Sequence, residues 1–184
     1  MHPGSSLRRR NPWLALLLSG CALAFAGTGQ QRAAAVFPSI TSYSLDKQKV
    51  TLPSGMEGQT DLLILSFAPE QQHEVDSWLP VAQGLQHSSF QFRYYQLPIQ
   101  GRENFIFRWW ASSSMRSNQT DPETWHWIVP LFVDRQEFLR DLNIPNEKQV
   151  VALLADRQGH ILWRASGPLT EDKRASLLAA AGQH

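Results

Sequence analysis

The 184-residue chain has a single cysteine, Cys21, close to its N-terminus. Residues 36–184 carry no thiol. That excludes a disulfide, a dithiol redox pair, a cysteine nucleophile and a thiolate metal site from this part of the chain. An excess of one charge is lacking too. Seventeen Lys and Arg against sixteen Asp and Glu leave a formal net charge of +1, which makes no electrostatic case for nucleic acid. No Gly-rich phosphate loop or other cofactor motif, internal repeat or low-complexity tract occurs. The six histidines, His2, His73, His87, His126, His160 and His184, form no close metal-ligand spacing. His73 beside Glu70 and Glu74 is the one small titratable cluster, and it reads as a solvated helix start. Ser112-Ser113-Ser114 lacks the glycines of a nucleophile elbow and reads as a helix end. Asn118-Gln119-Thr120 is a glycosylation sequon in a secreted eukaryotic chain and otherwise a turn.

What is present is a globular composition, 42% hydrophobic and 18% charged, too apolar for disorder. The length suits one domain plus a leader. Residues 1–35 read as that leader and a linker. Arg8, Arg9 and Arg10 form a basic n-region, and Trp13 to Ala26 an apolar core too short to span a bilayer comfortably but right for a signal peptide. Leu18-Ser19-Gly20-Cys21 resembles a lipobox, which makes Cys21 a candidate lipid-attachment site. Ala24-Phe25-Ala26 offers ordinary signal-peptidase cleavage instead, and an uncleaved membrane anchor is a third route. The apolar run past Cys21 favours the last two. The absence of acidic residues before Asp46 also fits a mitochondrial presequence, but the solid leucine core argues against one. The expected location is periplasmic or membrane-anchored.

Residues 36–184 read as one domain. Phe37 to Pro53 is an extension with a small hairpin over Ser44–Pro53. Strands are expected at 61–67, 89–97, 125–133, 150–155 and 160–165. Ala68-Pro69-Glu70 opens a helix through about Gln86, with Val75, Trp78, Leu79, Ala82 and Leu85 on one face and Pro80 as a kink. Pro98 to Arg102 is a loop, and Glu103 to Arg116 a second helix. Asp134 to Asp141 is a short third helix. In Val150–Gly167, VVALLADRQGHILWRASG, an apolar run, a turn ending in Gly159 and a more amphipathic run predict a hairpin. Thr170-Glu171-Asp172 then opens a helix with an acidic first turn. Strict alternation places Ile161, Trp163 and Ala165 on one face of the last strand, against which Leu177 or Leu178 should pack.

This order predicts an α/β domain with a mixed central sheet covered by helices on both faces. The sequence resembles thioredoxin-like proteins, which implies their three-layer sandwich. LPSGMEGQTDLLILSF resembles the opening of peroxiredoxins and periplasmic thiol reductases. Phe138–Asn146 followed by VVALLADRQGHILWRASGPLTEDKRASL resembles the mitochondrial ATP synthase assembly factor family of the ATP10 type. The resemblance rests on Leu153-Leu154-Ala155-Asp156, Gly159, Ile161-Leu162-Trp163, Gly167 and Thr170-Glu171, with Trp78 upstream. Thiol enzymes of this superfamily carry Cys-x-x-Cys where the first main helix begins, because the helix N-terminus lowers the thiol pKa. Here that turn is Ala68-Pro69-Glu70-Gln71-Gln72-His73. Their cis-proline position falls on Val150.

The missing thiol, the leader and the resemblance together point to a thioredoxin-like protein that is not a thiol oxidoreductase, expected to be non-catalytic and without cofactor or metal, acting outside the cytoplasm or at a membrane. A protein partner, such as a membrane complex under assembly and by resemblance ATP synthase, is expected. The alternative is a periplasmic ligand- or metal-handling protein, or a divergent peroxiredoxin-like protein that has lost its thiol. Convergent polar groups near Glu70–Glu74 would favour the alternative, and a flat aromatic patch the first reading. The candidate partner surface is aromatic: Trp109, Trp110, Trp125 and Trp127. Adjacent helical residues point about 100° apart, so Trp109 and Trp110 cannot share one face, and exposed large aromatics mark contact surfaces.

Overall fold

The computed structural model describes residues 35–101 and 122–182. The leader, the expected helix at 103–116 and its Trp109 and Trp110 lie outside these residues. The first strands among the described residues form a hairpin of β1 (Ile40–Tyr43) and β2 (Lys49–Leu52). The hairpin starts earlier than the Ser44–Pro53 reading placed it, because Ser44–Gln48 is its turn, with Lys47 at φ 70°.

The main sheet has five strands in the order β5-β4-β3-β6-β7. Central β3 (Thr60–Ser66) is apolar on both faces, as a strand covered on both sides must be. It pairs in parallel with β4 (Phe92–Gly101) and antiparallel with β6 (Val151–Asp156). β5 (Leu131–Val133) extends β4 in parallel, and β7 (Ile161–Ser166) closes the other edge antiparallel to β6. The β6–β7 turn needs glycine twice over. Gly159 has φ 85°, and a Cβ there would lie 2.8 Å from Pro53 Cγ.

Two hydrophobic layers follow from the strand alternation. On one face Leu62, Ile64, Tyr94 and Leu154 pack under α1 (Gln72–Ser88) and α3 (Glu171–Ala181) through Val75, Trp78 and Leu177. On the other, Leu63, Leu65, Tyr95 and Leu153 meet the hairpin and α2 (Arg135–Asp141) through Val50, Leu52, Phe138 and Leu139. The three-layer α/β expectation is met. α2 and α3 start on caps legible in the sequence: Asp134 accepts from Glu137 N–H, and Thr170 from Lys173 N–H. α1 runs unbroken through Pro80.

Three expectations need correction. Residues 125–133 do not form one strand. Pro122–Trp127 is a 3-10 turn, Ile128 makes a single bridge to Gln96, and only Leu131–Val133 joins the sheet. Proline at 122 suits a helical start, and Pro130 has no N–H for a ladder. Pro98 is not in a loop but inside β4. It sits opposite Ser66, the last residue of β3, just before β5 begins to pair at Ile99, where a missing donor costs little. Finally, Ile161 and Trp163 do not share a face. The register shifts between Leu154 and Ala155, and this bulge turns Ile161 to the hairpin side and Leu162, Trp163 and Ala165 to the α1/α3 side. The expected helix contact survives on that face. Leu177 is fully buried, and Trp163 Nε1–H donates to Ser176 Oγ at 3.2 Å.

Candidate functional site

The turn where β3 feeds α1 is the first place to look for chemistry. It is closed by side chains that hold each other and the backbone. Gln71 is buried. Its Oε1 accepts from Phe67 N–H at 2.7 Å, and its Nε2 donates to Glu147 C=O at 2.7 Å. Glu74, on the buried face of the first turn of α1, accepts from Val150 N–H at 2.9 Å. Arg135 donates to Phe67 C=O at 3.0 Å and pairs through two guanidinium nitrogens with the Glu147 carboxylate. The β3–α1 turn, the first residue of α2 and the loop before β6 are thus tied into one unit. Polar groups do converge near Glu70–Glu74, but on protein partners: both amide atoms of Gln71 and both oxygens of Glu147 are engaged. A buried polar group with its partners made is a fixed structural element. Val150, the residue before β6, donates its N–H to Glu74.

At the helix start, His73 keeps the solvated place read for it, and Glu74 does not. His73 is exposed and lies 3.1 Å from the Glu70 carbonyl, while Glu74 turns inward. Its place on the buried stripe with Trp78, four residues on, was the legible sign that Glu74 belongs to the interior.

A second polar group lies near the start of β3. His126 stands between two carboxylates, with Nδ1 3.1 Å from Asp46 Oδ2 and Nε2 2.7 Å from Glu57 Oε1. Partial burial opposes the imidazolium charge, but hydrogen bonds to Glu57 and Asp46 outweigh it and raise the His126 pKa above its usual value. Asp46 is likewise opposed by burial, yet its hydrogen bonds with Ser44 and His126 hold it below the ordinary carboxylate range. Glu57 N–H donates to Tyr95 Oη at 3.1 Å, and Arg157 donates to the carbonyls of Gly58 and Glu57 at 2.7 and 3.3 Å. Beneath this loop Asp61 is fully buried. Its Oδ1 accepts from Gly58 N–H at 3.1 Å, while its Oδ2 has no partner. Burial pushes its pKa up to about 7 against the pull of Gly58 N–H, Arg157 and Arg93. A Cβ on Gly58 would lie 2.6 Å from the Thr60 carbonyl and 2.8 Å from Asp61 Oδ1, so only glycine lets the loop close over the acid. The sequence reading missed this group, since its members are scattered from Asp46 to Arg157. Among the described residues no cluster of three or more His, Cys, Asp and Glu is arranged to hold a metal ion.

Of the four candidate aromatics, the structure places Trp125 and Trp127 on the same 3-10 turn, both half-buried. The Trp127 ring centroid lies 5.6 Å from that of Tyr95, 6.2 Å from that of Tyr94 and 4.7 Å from that of His126. Trp127 therefore packs at the edge of both hydrophobic layers.

No protein-family model and no curated protein sequence matches the chain. Solved structures do. An exposed lipoprotein thioredoxin of Streptococcus pneumoniae superposes with a TM-score of 0.56 at 10% identity, over 80% of this chain and 100% of that one. BsSco, a member of the Sco family of cytochrome c oxidase assembly proteins, gives 0.54 at 14% identity, over 82% and 96%. StoA from Bacillus subtilis gives 0.52 at 14%, over 79% and 98%. At such identities the likeness is one of fold, and the chain has the thioredoxin-like fold.

Proposed function

We propose that this protein is a non-catalytic thioredoxin-like protein that acts outside the cytoplasm or at a membrane and assists assembly of a membrane complex. The observation that carries the reading is the β3–α1 turn. Where a thiol pair would have to sit, Gln71 and Glu74 bind the loop before β6, and residues 36–184 contain no cysteine. A thiolate cannot be generated there. The basic-then-apolar leader supports export or anchoring, with Cys21 as the lipid-attachment candidate. The C-terminal resemblance to ATP synthase assembly factors makes ATP synthase the first complex to examine. The partner surface in this reading is aromatic and comprises Trp109, Trp110, Trp125 and Trp127.

Two assays test the reading. Full-length protein carrying Cys21→Ser should reduce insulin disulfides and consume peroxide no faster than the thiol donor alone. Tagged wild type recovered from source membranes should enrich ATP synthase subunits over an unrelated tagged control. Thiol-dependent turnover would refute the non-catalytic assignment. Capture without ATP synthase subunits would refute that choice of complex.

A further inference from the structure

The His126 group carries an inference independent of any partner. A neutral imidazole has one N–H, and its other nitrogen presents a lone pair; only the imidazolium donates on both sides. Here both nitrogens face carboxylates, and the carboxylates belong to different segments. Asp46 lies in the β1–β2 turn, fixed by Ser44 Oγ. Glu57 lies in the 53–59 loop, whose backbone is held by Tyr95 and Arg157. His126 itself rides on the 122–127 turn, wedged edge-on against Trp127. We propose that Asp46–His126–Glu57 is a proton-operated latch: the doubly protonated ring fastens the β1–β2 turn and the 53–59 loop to the 122–127 turn, and loss of one ring proton frees one of them.

The surroundings act in the same sense. Among the described residues, the charged groups bearing on His126 are Asp46 and Glu57, both favouring its cation. Behind Glu57 stands Asp61, with Arg157 and Arg93 as counter-charges. When Asp61 ionises, a buried carboxylate appears under the same loop and beside the Glu57 charge. Protonation of both groups closes the loop, and deprotonation of both loosens it. The state of the latch therefore follows the pH of the compartment that holds the domain.

Nuclear magnetic resonance of the ring nitrogens and amide hydrogen exchange, both on the full chain, test this. Both His126 nitrogens should stay protonated to a pH above the ordinary histidine value, and Glu57→Gln should bring the titration down. The Asp61→Asn background removes the second titrating group. There, exchange protection of the Met56–Gly58 amides, corrected for intrinsic rates, should fall about tenfold between pH 5.5 and 8.5, the scale of one lost hydrogen bond. Adding His126→Gln should leave low protection at both pH values. A ring that titrates at or below the ordinary value, or a pH step that survives His126→Gln, would overturn the latch. The ring measurement needs no variant, so a misfolded mutant would not shield the proposal.

Discussion

Trp78→Ala should lower the free energy of unfolding by about 4–5 kcal/mol, the upper range for emptying a large core site. Trp78 is fully buried under α1, where its ring meets that of Trp163 edge-on at 6.1 Å. Its Nε1–H donates to Gly167 C=O at 3.1 Å, across 89 residues of sequence. Truncation would lose the ring's burial and leave that carbonyl without its donor, a further cost beyond the cavity. For a domain of this size the melting temperature should fall by about 8–20 °C. Trp163 is half-buried, so Trp163→Ala should cost about half as much on the same area argument. Equal losses at the two sites, or a loss under about 1 kcal/mol at Trp78, would mean that α1 does not seat on the sheet as described.

Asp61 gives the second large effect. Its folded pKa, about 7, lies above the ordinary 3.8, so the folded state binds the proton more tightly than the unfolded state. The resulting stability is complete below about pH 4 and is lost as pH rises through 7. About two units of this window lie above pH 5, which at 1.36 kcal/mol per unit corresponds to about 3 kcal/mol lost between pH 5 and pH 8. Asp61→Asn keeps an oxygen for Gly58 N–H and cannot ionise. Chemical denaturation should show the wild type weakening over this interval and the variant losing less than half as much, so that the variant is the more stable of the two at pH 8. His126 adds a smaller loss of the same sign above its own pKa. Equal pH slopes in the two proteins would show that Asp61 does not hold its proton more tightly in the folded state.

What was legible in the sequence, and what was not, divides along physical lines. β3, β6, α1 and the β6–β7 turn follow from local pattern: apolar runs, a helical stripe and a glycine at positive φ. Trp125-His126-Trp127 alternates like a strand, but Pro122 and Pro130 commit its surroundings to a turn and a broken ladder. The bulge in β7 left no mark in Ile161-Leu162-Trp163, because all three residues are apolar and fit either face. The polar ties were hidden by distance. Gln71 meets Glu147 and Glu74 meets Val150 across 76 residues each, and His126 reaches Asp46 and Glu57 across 80 and 69. Periodicity does not encode pairs so far apart. The one local hint was the kind of residue involved, a carboxylate on the buried stripe of a helix at Glu74 and an acid opening the apolar strand at Asp61.

The β3–α1 turn is a structural tie where a thiol enzyme would have its reaction site, and the melting temperature of Gln71→Ala tests this most directly. Gln71 satisfies two backbone groups, Phe67 N–H and Glu147 C=O, and alanine would leave both without their partner. The cost should be about 2–4 kcal/mol, which lowers the melting temperature by about 5–15 °C, while folded protein at lower temperature should still capture the membrane complex proposed as its partner. An unchanged melting temperature together with lost capture would contradict the account, because Gln71 would then belong to a working site and not to the scaffold.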